Sequence, residues 1–151
     1  MDGANDPIDY RVLFRSTPAA MLVLDTELVI VDVTDAYLTA TMRTREELIG
    51  RPVLAAFPDN PEGPAAGGVS RLAESLHRVL RDGVTTVMPV HRYDIAQPGG
   101  GFQTRYWAPV TAPVFTDGAI SHVVHRVEDV TAYVHAREGG VTDQLADELE
   151  A

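Results

Sequence analysis

Residues 105–131 read RYWAPVTAPVFTDGAISHVVHRVEDVT, and the fold turns on this stretch. Two runs rich in Val, Ile, Thr and aromatic residues flank Asp117-Gly118, a dipeptide suited to the left-handed backbone of a tight hairpin turn. The pattern predicts two antiparallel strands, at about 102–116 and 119–130. A two-residue loop would pair Val110 with His125 and Ala108 with Val127. Alternation along the strands then sorts their faces. Tyr106 is expected inside with Thr104, Ala108, Val110 and Ala112, and Trp107 and Phe115 outside. His125 shares its face with Val123 and Val127, which is expected to be the inner one.

Upstream, residues 20–25 and 28–34 form another hairpin around the turn Asp25-Thr26-Glu27. Its strands are apolar on both sides. Met21 and Val23 oppose Leu22 and Leu24, and Val29, Val31 and Val33 oppose Leu28 and Ile30. A sheet with one wet face alternates apolar with polar residues, so the second face needs a cover. That cover is expected to be a lead-in helix over 8–16, or a second subunit. Between the hairpins lie short helical pieces. Asp35 can cap AYLTATM, and Thr44-Arg45-Glu46-Glu47 is a capping box with Gly50 as the stop. After a loop-rich stretch, Val69, Leu72, Ala73, Leu76, Val79 and Leu80 fall on one stripe of a helix ended by Gly83. A strand over 84–94 and the turn Gly99–Gly101 complete an α+β order with an antiparallel sheet.

Composition narrows the function. The 151 residues fit one domain with a single core, and 45% are hydrophobic. No apolar run reaches the ~20 residues of a membrane helix, and the N-terminus lacks the order of a signal peptide, so the expected location is cytoplasmic. Cysteine is absent, which removes disulfides, thiolate metal sites and thiol nucleophiles. The net charge of −10 sits at the ends. Five acids and no base occur in 138–151, and three acids and no base in 1–10. Fourteen acids face twelve arginines in between, and no basic run offers a nucleic-acid footprint.

The ordered segments LFRSTPAAMLVLDTELVIVDVTDAYL, TREELIGRPV, FPDNP with SLHRVL, and RYWAPVTAPVFTDGAISHVVHRVEDVT carry a family likeness. Over about residues 10–137 the chain resembles PAS domains, especially those of bacterial signalling proteins such as histidine kinases. Thr34 stands where many relatives carry asparagine. The resemblance implies a five-stranded antiparallel sheet of order 2-1-5-4-3, helices on one face and a ligand cavity between the layers. It implies that Asp129 and Thr131 tie the last strand to a signalling helix; both are also helix-capping types at a strand-to-helix junction. Residues 1–19 are then a lead-in region, 20–130 the PAS domain, and 131–151 the start of a signalling helix or linker to an absent output domain. In that last segment Thr142 can cap a helix striped by Val141, Leu145 and Leu149.

The candidate ligand residues are Tyr37, Phe57, Leu72, Leu76, Tyr106, Val110 and His125. His125 reads first as a core histidine satisfied by a hydrogen bond, and second as a ligand contact or pH-sensitive group. Val12, Trp107 and Phe115 are candidates for a homodimer interface. The expected function is sensory input through a small ligand, or else dimerisation or partner docking without one. Chemistry is not expected. His122 and His125 point to opposite faces of a strand and cannot share an ion, while His77 lies off the apolar stripe of its helix, which argues against haem. Without cysteine, a thiol-linked chromophore is excluded. Ser, His and Asp occur without a nucleophile elbow, and Gly99–Gly101 lacks the Lys-Ser/Thr of a phosphate loop. Gly67-Gly68 ahead of the long helix reads as a flexible helix start before an anion seat.

Overall fold

The computed structural model describes residues 7–57 and 68–138. The expected Val141, Leu145 and Leu149 stripe, its Thr142 cap and Gly67 lie outside the described residues, as does most of each acidic end. Helix α1 (Tyr10–Arg15) leads into strands β1 (Ala20–Asp25) and β2 (Ile30–Val33). Helices α2 (Asp35–Thr41), α3 (Arg45–Leu48), α4 (Val53–Ala56) and α5 (Gly68–Asp82) follow. The remaining strands are β3 (Thr86–Val87), β4 (His91–Arg92), β5 (Ile95–Ala96), β6 (Phe102–Gln103), β7 (Tyr106–Trp107), β8 (Val110–Thr116) and β9 (Ala119–Val127). A last helix, α6, covers 131–138.

The main sheet is antiparallel with the order β2-β1-β9-β8-β3. In terms of the five expected strands this is 2-1-5-4-3. The strand expected over 84–94 is broken into pieces, as is the one over 102–116. Each contains a proline where the ladder stops, Pro89 and Pro109, because proline has no N–H to donate. Pairing resumes beyond them, with His91 opposite Trp107 and Ile95 opposite Gln103.

The first hairpin departs from simple alternation. Val23 pairs with Asp32 but Leu24 pairs with Ile30, so Val31 is an extra residue. This bulge lets Ile30 and Val33 both face the core at 0% exposure while Val31 is 38% exposed. The second strand also starts later than expected. Asp25 Oδ1 accepts hydrogen bonds from Glu27 N and Val29 N, and Leu28 takes a left-handed φ of 64° that turns its side chain into the core.

The core lies between the inner sheet face and α2–α5. Leu22 and Leu24 of β1, Val123 of β9 and Leu76 and Val79 of α5 are all fully buried. Each such side chain contributes about 1.5–3 kcal/mol over its exposed state. Helix α5 lies against β8 and β9, as its apolar stripe requires. It ends at Gly83, where φ is +65° and an added Cβ would sit 3.3 Å from the Phe115 ring. The other sheet face is tied to α1 by an ion pair, Arg15 Nε to Asp32 Oδ1 at 3.0 Å. This helix gives only a partial cover, since Ile8, Tyr10, Val12 and Leu13 are each more than half exposed.

Thr34, not Asp35, caps α2. Its fully buried hydroxyl accepts from Met21 N at 3.0 Å and Tyr37 N at 3.3 Å, and donates to Ala19 O at 2.8 Å. One side chain thus pins the start of β1 to the start of α2. Replacing Thr34→Val keeps the shape but deprives the half-buried Met21 N–H and Ala19 carbonyl of that partner. We expect urea unfolding to show a loss of about 2–3 kcal/mol, and an unchanged midpoint would remove the pin from the account.

Candidate functional site

The hairpin at Asp117-Gly118 forms as expected, with Thr116 opposite Ala119 and positive φ at both turn residues. Phe115 then pairs with Ile120, but Val114 pairs with His122, which leaves Ser121 as an extra residue. Beyond that bulge every partner is displaced by one. Thr111 faces His125, and Val110 faces Arg126. A one-residue displacement exchanges the two faces of a strand. The expected pairings Val110–His125 and Ala108–Val127 are therefore corrected, and so are the faces of β7 and β8. Trp107 is buried at 5% exposure and points into the molecule, which rules it out as part of an outer dimer patch. Phe115 also lies on the helix side, against Gly83, although it stays 55% exposed. Tyr106 and Val110 turn outward, with the Tyr106 ring edge-on to His135 of α6 at 6.0 Å.

Under β9 lies a cavity of about 60 Å³. Of the residues singled out from sequence, Tyr37, Phe57, Leu72 and His125 line it. Leu76 is fully buried in the core but is not part of the lining, and Tyr106 and Val110 are excluded by the displaced register. The remaining wall is formed by Thr41, His91, Tyr93, Ile95, Trp107, Pro109 and Val127. Trp107 and Pro109 come in through the Ser121 bulge. His91, Tyr93 and Ile95 come from a broken strand whose inward face has no clean alternation.

The wall is held by hydrogen bonds around its aromatic rings. Trp107 Nε1 donates to Tyr93 O at 2.9 Å, and the Tyr93 hydroxyl donates to Phe57 O. Tyr37 and Phe57 meet edge to face at 6.0 Å and 71°, a favoured arrangement of ring quadrupoles. Thr41 Oγ1 donates to Tyr37 O at 2.8 Å. Two polar groups stand out. His125, 4% exposed, has Nδ1 2.9 Å from Thr111 Oγ1. Burial, and secondarily the nearby His91, lower its pKa to about 4, so the ring is neutral at neutral pH. Tyr37 is 5% exposed, and burial raises its pKa, which keeps the phenol protonated. Neither His125 Nε2 nor the Tyr37 hydroxyl has a protein hydrogen-bond partner among the described residues.

The exit of β9 is knitted to β7. Ala108 and Glu128 exchange backbone hydrogen bonds at 3.0 and 3.3 Å, and Val130 N donates to Tyr106 O at 2.9 Å. Asp129 Oδ1 accepts from Thr131 N at 3.0 Å, capping α6, and Thr131 Oγ1 accepts from Tyr106 N at 2.9 Å. Arg105 Nε lies 3.2 Å from Asp129 Oδ2, near enough for an ion pair but not aligned as a hydrogen bond. Adjacent residues of one dipeptide therefore meet different surroundings. Trp107 forms cavity wall, and Tyr106 holds the exit helix.

His77 and His122 stay apart from the cavity. His77 is exposed on α5, with Nδ1 2.7 Å from Ala73 O of its own helix. His122 and His125 lie on opposite faces of β9, and His122 Nδ1 is 3.0 Å from Ser121 Oγ. No group of three His, Asp or Glu side chains suited to a metal ion occurs among the described residues. No described helix is long and apolar enough to cross a membrane.

Comparison with known proteins agrees with this architecture. The PAS fold family matches residues 14–135. A PAS domain of a protein from Colwellia psychrerythraea is 16% identical, with a TM-score of 0.59 over 80% of this chain and 93% of that one. A light-oxygen-voltage domain studied with a flavin analogue is 18% identical, with a TM-score of 0.57 over 83% and 88%. The PAS domain of a LuxR-family transcriptional regulator from Burkholderia thailandensis, in complex with ethanol, is 19% identical, with a TM-score of 0.56 over 82% and 98%. No curated protein matches the sequence.

The buried imidazole makes stability depend on pH. Its folded pKa of about 4 lies below the ordinary 6.5, so the unfolded chain takes up a proton first as pH falls. The full stability is present above pH ~6.5 and declines down to pH ~4, by about 3 kcal/mol in all. Urea unfolding across this range should show that slope in the wild type, and His125→Leu should lack the corresponding part. Parallel slopes in both proteins would show that His125 is not the group responsible.

Proposed function

The chain belongs to the PAS-fold family, and from that premise we propose that it is a sensory input module that takes a small ligand into the cavity under β9. The observation that carries this reading is the double role of β7. Trp107 forms part of the cavity wall, while the backbone N–H of its neighbour Tyr106 is bonded to Thr131 at the root of α6. A ligand that favours one setting of Trp107 would bias the Tyr106–Thr131–Asp129 junction, and so the helix leading to an output domain. Such a bias requires different affinities for two settings, and a wall built of side chains on short, interrupted strands is suited to having them.

The ethanol complex of the Burkholderia domain supports a ligand of modest size in this kind of fold. The flavin of the light-oxygen-voltage neighbour is not carried over. There is no cysteine for a thiol-linked chromophore, and about 60 Å³ is far too little for a tricyclic ring. The decisive experiment is hydrogen exchange with and without a compound that raises the melting temperature in a small-molecule screen. We expect the compound to change protection at 131–138 in the wild type. Leu72→Trp, which fills the cavity, should abolish both effects. Asp129→Ala should keep the thermal shift but lose the change at 131–138. A stabilising compound with unaltered protection there would refute the relay.

A specific observation supports a second, compatible role in homodimer formation, carried by α1 and the bulged edge of β2. Ile8, Val12, Leu13 and Val31 are all exposed apolar side chains at that end of the chain. The pairing surface then involves Val12 and not Trp107. Val12→Asp should lower the mass seen by sedimentation equilibrium from dimer to monomer while leaving the melting temperature nearly unchanged. A wild-type protein that is monomeric at tens of micromolar would exclude this role.

A further inference from the structure

Resting on the cavity reading above, we infer that the ligand is an uncharged molecule of about four to six heavy atoms, with a carbonyl or hydroxyl oxygen placed between Tyr37 and His125. Size is set by the cavity. A space of about 60 Å³ takes a few waters, at about 10–15 Å³ each. Polarity is set by what the wall lacks. No Asp, Glu or Arg lines the cavity. Two nearby arginines are already engaged. Arg43 pairs with Glu47 at 2.7 Å and donates to Ala56 O at 2.6 Å, and Arg92 grips Asp94 through two bonds of 2.8 and 3.0 Å. An anion or ammonium group would enter an apolar, aromatic site whose two imidazoles, His91 and His125, burial holds toward the neutral form, and burial of an unpaired charge is strongly unfavourable.

A purely apolar ligand is disfavoured by the same wall. Tyr37 and His125 are both more than nine-tenths buried, and each line the cavity with a polar atom lacking a protein partner. The phenol offers a proton. The imidazole, anchored through Nδ1 on Thr111, offers Nε2 as donor or acceptor according to its tautomer. A hydroxyl oxygen satisfies Tyr37 and meets either form of His125, and a carbonyl oxygen satisfies Tyr37 and the form that carries its proton on Nε2. Leu72, Ile95 and Val127 then surround the ligand's short hydrocarbon part.

Isobutyramide and isobutyrate test this directly, because they share size and shape and differ in charge at neutral pH. Indole serves as an oversized neutral probe. Each is titrated into the wild-type chain and read by amide and methyl NMR shifts at the cavity. Isobutyramide should bind at least tenfold more tightly than isobutyrate, and indole should leave the cavity signals unmoved. Tyr37→Phe, which keeps the ring and removes one oxygen, should weaken isobutyramide roughly three- to tenfold. His125→Gln, which retains a nitrogen near the Nε2 position, should weaken it less than His125→Leu. Equal or tighter binding of isobutyrate, or unchanged affinity in Tyr37→Phe, would overturn the ligand class while leaving a sensory cavity in place. Cavity shifts with indole alone would do the same. No cavity shift with any probe at millimolar concentration would overturn the ligand class and the cavity reading together.

Discussion

Everything in this molecule hangs on the register of β9. It is the central strand, paired to β1 on one side and β8 on the other, and both ladders must close at once. The β1 side runs without interruption from Ala20–Val127 to Asp25–His122. The β8 side must start from a two-residue turn and still present its small and aromatic residues inward, and the extra residue at Ser121 reconciles the two. The bulge is what brings Thr111 opposite His125 and turns Trp107 towards the helices. Without it, Tyr106 and Val110 would occupy the interior, and the imidazole would lose its partner.

That geometry explains how a polar interior persists beneath α5. A buried imidazole is tolerable when neutral and hydrogen-bonded, and the Thr111 hydroxyl meets that need from the adjacent strand. The surrounding aromatic wall is held by main-chain acceptors at Tyr93, Phe57 and Tyr37 instead of by close packing alone. Rings fixed in this way can stand around a void without collapsing into it. The stability of the layer comes from elsewhere, from the fully buried aliphatic residues of β1, β9 and α5.

Much of this architecture can be read from sequence, because periodicity survives local accidents. Asp117-Gly118 locates the final hairpin, the Leu72–Leu76–Val79 stripe locates α5, and Thr44 with Glu47 locates α3. Which side chains form the cavity is far less legible. Alternation assigns faces only while the count of residues is regular, and single bulges at Val31 and Ser121 break it in both hairpins. His125, Tyr37, Phe57 and Leu72 are accessible because they lie on β9 itself, or on or at the end of helices unaffected by the slip. Trp107 and Pro109 lie beyond the bulge, and His91 and Tyr93 lie on a strand fragmented by Pro89. No local pattern in the chain marks Ser121 as the surplus residue.

The Tyr106–Trp107 step has a thermodynamic corollary. Where two binding events are coupled through one peptide unit, the linkage runs both ways with equal magnitude. If the cavity takes a ligand as proposed, whatever engages α6 and shifts its root must change the cavity's appetite for that ligand by the same factor that occupancy changes α6. The threshold concentration at which the module responds is then a property of the whole signalling chain, so an isolated domain and its tethered counterpart would register different set points.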